Sequence, residues 1–241
     1  MIDSAMEPFG RALEAYYKGD KNVKIVFHRD DGNQSEDLIR GYFTRFSEFP
    51  EREKLAILKC SGKVLDIGAG TGRHSLELQK RNHEVLAIDI CKKACEIIRQ
   101  RGVKNVECNS VYEIMETNFD TLLLLGCSIA FVENLKGLEH FLVYAKSLLN
   151  SNGIILLDSR DVRKTDDPHH IKYQEDNINN GRYRGEIRLQ IGFNGKKGDL
   201  FQILHIDPDT LEHTAQKTRW KCEILQKENS LYLAKLTLSE H

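Results

Sequence analysis

Residues 64–74 read VLDIGAGTGRH, and this stretch decides the predicted fold. An apolar strand enters a turn with glycine at positions 68, 70 and 72, and a helix follows at once. Glycine suits such a turn because it has no β-carbon to clash at positive φ. The first N–H groups of the helix have no partner inside the helix, so they point at whatever lies beyond the turn. The stretch therefore predicts a strand, a loop and a helix that together bind an anionic or polar group.

Strand and helix patterns alternate after this stretch, which is typical of a parallel sheet with right-handed crossovers. The predicted core strands are 64–67, 84–90, 106–108, 119–125 and 153–158, and the helices between them are 73–81, 92–101 and 136–149. A further helix is predicted at 209–220, and a closing antiparallel hairpin at 222–225 and 231–238. The predicted fold is α/β: a doubly wound, seven-stranded, mostly parallel sheet with an antiparallel last strand.

Segments outside this core carry different signals. The chain before the core is predicted to form a helix at 7–18, a hairpin that turns at Asp31-Gly32, and a short helix at 50–58. The polar stretch 161–180 is predicted as a loop because of its Pro and Asn-Gly punctuation, and an antiparallel hairpin follows at 186–206. We expect three parts: an extension (1–59), a core (60–160 with 207–241) and an inserted loop and hairpin cap (161–206).

Composition argues against several classes of protein. The formal net charge of −1 gives no long-range field that would attract a polyanion, which disfavours a nucleic-acid partner. No apolar run approaches the roughly 20 residues that a membrane-spanning helix needs, and the N-terminus lacks a signal-peptide pattern. The six cysteines include no C-x-x-C pair, unlike a disulfide framework or a zinc site. These features predict a cytoplasmic protein in a reducing compartment, without a membrane anchor.

The loop spacing separates two classes of nucleotide-binding protein. A dinucleotide-binding loop has its third glycine at the sixth position, where this chain has Arg73. The pattern Asp-x-Gly-x-Gly-x-Gly, with Asp89 at the end of the next strand, instead resembles the class I S-adenosylmethionine-dependent methyltransferases. The resemblance covers about residues 63–158 and implies an enzyme that uses S-adenosylmethionine as methyl donor. A strand-to-helix turn without a ligand is the alternative interpretation of the loop.

The resemblance also implies contacts with the cofactor. The glycine-rich loop would pack against its methionine part, Asp66 would lie near its amino group, and Asp89 would accept hydrogen bonds from both ribose hydroxyls, with Ile90 along the adenine. The family usually has an acidic residue after the third strand, where Asn109 or Ser110 of this chain could accept the hydrogen bond of the adenine amino group. The predicted cofactor-binding residues are Asp66, Gly68, Ala69, Gly70, Gly72, Asp89, Ile90, Asn109, Ser110, Val111, Gly126 and Cys127.

The methyl acceptor is expected at the carboxyl edge of the sheet, near the loop after the fourth core strand. A sulfonium methyl is already electrophilic, so the protein mainly holds donor and acceptor in line, about 3 Å apart, and excludes water. A general base is needed only for an acceptor that must lose a proton. The candidate catalytic residues are His169, His170, Tyr173 and Arg160, of which the arginine could bind a carboxylate or phosphate. For the two histidines an ordinary polar loop is the competing interpretation.

The class of acceptor stays open at the level of sequence. A small molecule is expected; RNA or protein is the alternative acceptor, and a non-catalytic S-adenosylmethionine-binding protein is the alternative function. The near-neutral charge and the sequence Gly126–Ile129, which stands where amino-base methyltransferases carry Asn-Pro-Pro-aromatic, disfavour a macromolecular acceptor. No metal site is predicted, because the spacing of Asp158, Asp166 and His169 matches no defined ligand set. The oligomeric state is not predicted, and a dimer is one of the open alternatives.

Overall fold

The computed structural model describes residues 2–239, and the chain divides into two compact units. The first unit comprises Met1–Phe49, Leu65–Ile114 and Arg188–Phe201, and the second comprises Pro50–Val64, Met115–Ile187 and Gln202–His241. Met1, Glu240 and His241, which the predicted extension and core include, lie outside the described residues. The three-part domain division expected from the sequence stays a prediction.

Helices and strands alternate along most of the chain. The helices are α1 (Ile2–Tyr17), α2 (Glu51–Lys59), α3 (Arg73–Lys80), α4 (Lys92–Gln100), α5 (Leu135–Leu148), α6 (Pro168–Asn179) and α7 (Pro208–Lys217). The strands are β1 (Lys24–Arg29), β2 (Gln34–Leu38), β3 (Lys63–Ile67), β4 (Glu84–Ile88), β5 (Asn105–Glu107), β6 (Phe119–Leu124), β7 (Leu149–Arg160), β8 (Glu186–Phe193), β9 (Lys196–Lys197), β10 (Phe201–Leu204), β11 (Trp220–Glu228) and β12 (Leu231–Leu238). Across residues 2–239, none of the helices has the length and apolarity required to cross a bilayer.

Seven strands form the main sheet, in the order β11-β12-β7-β6-β3-β4-β5. β4 pairs with β5, and β6 with β7, in parallel, whereas β12 runs antiparallel to both β7 and β11. The central strands are continuous apolar runs: residues 122–124 and 155–157 are completely buried, as expected for strands covered on both faces. The predicted seven-stranded, mostly parallel sheet with an antiparallel last strand is therefore confirmed.

A second sheet unites segments that are far apart in the sequence. Its order is β10-β8-β1-β2, with β9 paired to β8, so the N-terminal hairpin and the later hairpin form one antiparallel sheet. Gly192 of β8 lies opposite Val26 of β1. A Cβ at Gly192 would lie 2.7 Å from His28 Nε2, so the His28 ring could not keep its position against any other residue there. The two hairpins were predicted as separate elements, and their pairing was not.

The predicted loop at 161–180 is wrong over most of its length, because residues 168–179 form α6. Asp167 caps this helix by accepting a hydrogen bond from the His169 N–H at 2.8 Å, and Pro168 occupies the first turn. Both are helix-start signals that the sequence interpretation treated as loop punctuation. Tyr173 and Asn177 form the buried face that holds the helix in place.

The helix predicted at 209–220 also ends earlier than expected. α7 stops at Lys217, and Trp220 begins β11. The Trp220 ring is completely buried, and its Nε1 donates a hydrogen bond to the Leu142 carbonyl at 2.9 Å. Burial of this large side chain in the second unit decides the boundary, because a tryptophan N–H needs an acceptor when it leaves water.

Candidate functional site

The loop between β3 and α3 has the backbone that its glycines predict. Gly68, Gly70 and Gly72 have φ of 72°, 60° and 73°. A Cβ at Gly72 would lie 3.0 Å from Val103 Cγ2, so this position needs glycine for its packing as well as for its φ. A Cβ at Gly70 would meet no protein atom within 4 Å. The loop is therefore fixed on its inner side at Gly72 and open to a ligand at Gly70.

Asp89, immediately after β4, presents an oriented carboxylate beside this loop. Its Oδ2 accepts a hydrogen bond from the Gly70 N–H, and its Oδ1 accepts one from the Cys91 N–H, each at 2.8 Å. A carboxylate oxygen can accept about two hydrogen bonds, so each keeps one acceptor position. Burial raises the pKa of Asp89 to about 6, against the opposing effect of the Cys91 and Gly70 N–H groups. Two neighbouring hydroxyl groups of a ribose would match this pair of oxygens.

Asp66, the acidic residue of the loop motif, is buried at the end of β3. Its Oδ2 accepts a hydrogen bond from Ser75 Oγ at 2.5 Å, which ties β3 to the first turn of α3. Burial raises the pKa of Asp66, opposed by the nearby His74 and by the Ser75 hydroxyl. The structure thus gives Asp66 a role in holding the loop, and its predicted contact with a ligand amino group stays a prediction.

The glycine-rich loop is also held by Arg101 and Tyr42, neither of which was predicted to contact it. Arg101, at the end of α4, donates from Nη1 to the Thr71 carbonyl at 2.6 Å and to Thr71 Oγ1 at 2.8 Å. The Thr71 hydroxyl in turn donates to the Tyr42 carbonyl, and Tyr42 packs edge-on against Phe9 of α1. The N-terminal extension and the glycine-rich loop therefore share one hydrogen-bonded cluster. Thr71 inside the motif was the only sequence signal that pointed to it.

The segment after β5 was predicted to hydrogen-bond the adenine amino group. Its two candidate residues, Asn109 and Ser110, differ in their contacts. Asn109 donates its side-chain amide to Glu107 Oε2 at 3.1 Å, which leaves the Asn109 carbonyl oxygen as an acceptor. Ser110 caps a short helical turn: its Oγ accepts the Tyr112 N–H, and its own N–H binds Glu113. Val111 is buried beneath them, and Ile90 is half-buried. These residues, the glycine-rich loop and Asp89 all belong to the first unit.

Gly126 and Cys127, the remaining predicted cofactor residues, belong to the second unit and follow β6. Cys127 has a φ of 60°, unusual for a residue with a side chain, and its N–H donates to Asp158 Oδ1 at 2.6 Å. Asp158 is completely buried, and its Oδ2 accepts a hydrogen bond from Arg52 Nε at 3.2 Å. Burial raises the pKa of Asp158, while the Cys127 N–H and the Arg52 charge oppose that rise. A buried ion pair therefore fixes the loop after β6.

The predicted catalytic candidates lie at separate places in the second unit. His169 and His170 are exposed at the start of α6, and Tyr173 is buried on the same helix. Arg160, at the end of β7, donates to Ser230 Oγ at 3.0 Å. Their catalytic roles stay predictions. No group of three metal-ligating side chains is found in the described part of the chain, and Asp158 is engaged by Arg52.

The fold and the glycine-rich loop are similar to those of known methyltransferases. Residues 64–153 match a family model described as a methyltransferase domain. The crystal structure of an S-adenosylmethionine-dependent methyltransferase from Bacteroides fragilis, in complex with S-adenosyl-L-homocysteine, is 29% identical, with a TM-score of 0.85 over 98% of this chain and 97% of that chain. Residues 64–153 therefore match a methyltransferase domain, and the resemblance to S-adenosylmethionine-dependent methyltransferases predicted from the sequence is confirmed.

Two other similar proteins illustrate the breadth of this class. A glycine/sarcosine N-methyltransferase from Halorhodospira halochloris is 26% identical over 151 residues, 55% of this chain and 56% of that protein. The chain thus spans about half the length of this curated relative. An S-adenosylmethionine-dependent methyltransferase from Methanosarcina mazei has a TM-score of 0.60 at 16% identity, over 80% of this chain and 99% of that one, which shows a shared fold.

Proposed function

We propose that this chain binds S-adenosylmethionine at the glycine-rich loop and Asp89, and transfers its methyl group to a small-molecule acceptor. The observation that carries the proposal is the Asp89 carboxylate, which the Gly70 and Cys91 N–H groups orient with one acceptor position left on each oxygen. The two ribose hydroxyls of the cofactor fit those positions. The open side of Gly70 suits the methionine part, which a side chain there would displace.

The adenine contact is proposed for Asn109 rather than Ser110. The Ser110 hydroxyl already caps a helical turn, whereas the Asn109 side chain keeps its carbonyl oxygen as an acceptor. An amide oxygen can accept the hydrogen bond that the family usually directs to a carboxylate. Ile90, half-buried beside Asp89, would then supply an apolar surface along the ring. S-adenosylmethionine brings the electrophilic methyl group, so these residues bind and orient rather than activate it.

A small acceptor is supported by the name of the relative from Halorhodospira halochloris, a glycine/sarcosine N-methyltransferase, and an acceptor nitrogen is the corresponding proposal. The net charge of −1 supports the same choice over nucleic acid. The six free cysteines fit a reducing compartment, and we propose a cytoplasmic location on that ground.

Calorimetry and a transfer assay test the proposal together. The purified protein is titrated with S-adenosylmethionine and S-adenosylhomocysteine, and then incubated with methyl-labelled S-adenosylmethionine and three acceptor pools: small metabolites, tRNA and protein extract. We expect binding of both nucleosides and label in the metabolite pool. Label in tRNA or protein would replace the proposed acceptor class, and binding without transfer to any pool would indicate a non-catalytic binder. No binding of either nucleoside would refute the proposal.

A further inference from the structure

Two buried polar atoms of the second unit, Ser128 Oγ and His205 Nδ1, have no hydrogen-bond partner among residues 2–239. Leaving such atoms unpaired is costly, so each needs an explanation, and a bound ligand is one. A third atom of this kind, His28 Nδ1, lies in the first unit and so does not belong to this pair.

The segments that carry Ser128 and His205 are both tied to the end of β7. Ser128 directly follows Cys127, whose N–H is held by Asp158 of β7. His205 directly precedes Ile206, whose N–H donates to Ser159 Oγ of the same strand at 3.2 Å. The two orphan atoms are therefore each one residue away from a backbone group that is anchored at the carboxyl end of β7.

A second contact joins the two segments directly. Gln202, three residues before His205, donates its side-chain amide to the Glu133 carbonyl at 3.0 Å. Glu133 ends the short helical turn that begins at Ser128. The strand that leads to His205 thus rests on the turn that starts with Ser128.

Arg160 adds a positive charge to this neighbourhood. Its guanidinium binds the Ser230 hydroxyl, and in the described part of the chain no carboxylate lies within ion-pair distance of it. Its charge acts on both the Cys127 thiol and the His205 ring. The Asp158 carboxylate does not neutralise the Arg160 charge, because it is already paired with Arg52. Arg160 is exposed, so its guanidinium is accessible to an anion at the edge where such sheets bind ligands.

We propose that Ser128, Arg160 and His205 recognise the methyl acceptor, and that this acceptor is a small molecule with an anionic group. Arg160 binds the carboxylate or phosphate, and the Ser128 hydroxyl and the His205 ring hydrogen-bond its other polar groups. This inference rests on the proposed function, because it assigns the acceptor of that reaction.

The electrostatics of the ring provide an independent observable. Burial, and then the Arg160 charge, lower the pKa of His205 to about 4, so the ring is neutral at pH 7 and one nitrogen can accept a hydrogen bond. Arg160 is the charged group that acts on this ring in the described residues. An anion bound to Arg160 cancels part of its field and must therefore raise the pKa of His205.

The test follows the His205 ring by NMR in protein with 15N-labelled histidine, saturated with S-adenosylhomocysteine. The signal is assigned with His205→Gln. Sodium acetate and inorganic phosphate are the anionic probes, and choline chloride is the cationic control. We expect acetate or phosphate, but not choline, to raise the pKa of His205 by about one unit; the more effective anion identifies the acceptor as a carboxylate or a phosphate. Arg160→Gln should abolish this response, whereas Lys221→Gln, which removes an exposed charge of the same unit, should keep it.

A kinetic measurement completes the test once the metabolite screen supplies an acceptor. Ser128→Ala and His205→Gln should raise the KM for that acceptor about tenfold while the Kd for S-adenosylhomocysteine changes less than twofold; Ser147→Ala, an exposed hydroxyl on α5, should change neither. An unchanged His205 pKa with both anions, or an unchanged KM, overturns the inference even if the protein is a methyltransferase. Absence of nucleoside binding overturns the proposed function instead, and the anion titration without nucleoside then still decides whether this site exists.

Discussion

The region around the glycine-rich loop and the region at the end of β7 are built in opposite ways. In the first, the contacts that orient the two carboxylates join near neighbours: Gly70 and Asp89 are 19 positions apart, Ser75 and Asp66 nine, and Cys91 and Asp89 two. In the second, Arg52 reaches Asp158 across 106 positions and Glu228 across 176. A candidate site formed by residues close together in the chain can therefore be recognised in the sequence, whereas a cluster formed by side chains that are distant in the chain cannot.

The largest effect is expected from breaking the long-range ion pair of the second region. Arg52→Met leaves the Asp158 carboxylate buried with only the Cys127 N–H as partner, and removal of one member of a buried pair costs about 3–5 kcal/mol of unfolding free energy. Urea denaturation measures the loss. Lys54→Met is the control on the same helix: its pair with Glu51 is largely exposed, so a change within about 1 kcal/mol is expected.

The pH dependence of this loss checks its cause. Burial raises the pKa of Asp158, because the folded protein disfavours the charged carboxylate. The folded protein is therefore more stable while Asp158 is protonated at low pH, and it loses that stability as the pH rises through the folded pKa. The cost of Arg52→Met should therefore be smaller at pH 5 than at pH 8. Equal losses at both pH values would mean that packing of the arginine side chain, and not its charge, is what matters.

The next largest effect is expected at the centre of the first region. Asp89→Asn replaces one acceptor oxygen with a donor and should weaken the two proposed hydrogen bonds to the ribose, each worth about 1.5–3 kcal/mol with a charged partner. The affinity for S-adenosylhomocysteine, measured by calorimetry, should fall about 100-fold. Asp120→Asn is the matched control, because Asp120 also accepts a backbone N–H, from Lys63 at 2.7 Å, but belongs to the second unit. An equal loss in both variants would point to general destabilisation.

A single methyl group sharpens the same comparison. Gly70→Ala adds a Cβ that meets no protein atom within 4 Å, so it costs only the backbone strain of positive φ, about 1–2 kcal/mol of stability. Gly102 also has positive φ and open surroundings, so Gly102→Ala should lose a similar amount in thermal melts. Only Gly70→Ala should weaken binding of S-adenosylhomocysteine, by at least tenfold, because its methyl group occupies ligand space. Unchanged binding would place the ligand elsewhere.

The mildest expected effect is a titration of Asp89 itself. Burial raises its pKa from the usual 3.8 to about 6, and in the proposed complex it is the ionised form that accepts both ribose hydroxyls. The affinity for S-adenosylhomocysteine should therefore fall about tenfold between pH 8 and pH 5. The same shift means that ionisation of Asp89 lowers the stability of the ligand-free protein as pH rises towards 6. In Asp89→Asn the affinity should no longer follow this pH profile.

Sequence reasoning succeeded where local signals agree. The strand, glycine turn and helix at 64–80, and the seven core strands, were predicted and are present within a few residues. It failed at 168–179, where Asp167 and Pro168 start a helix and were interpreted as loop residues. Local residues there fit both states, and burial of Tyr173 and Asn177 decides between them. His205 was not predicted as a site residue, because the alternating pattern of its segment predicts a strand and does not show which polar groups the histidine ring meets.

The sequence alone predicted the resemblance to methyltransferases, since the backbone of the glycine turn and the spacing to Asp89 are dictated by residues that follow one another in the chain. Only the tertiary structure decided the union of β1 with β8, the Arg52–Asp158 pair and the attachment of the Ser128 and His205 segments to β7. The physical reason is that conformational limits on glycine and unpaired helix N–H groups act locally. Which buried polar groups meet depends instead on surfaces that come together only when distant segments pack.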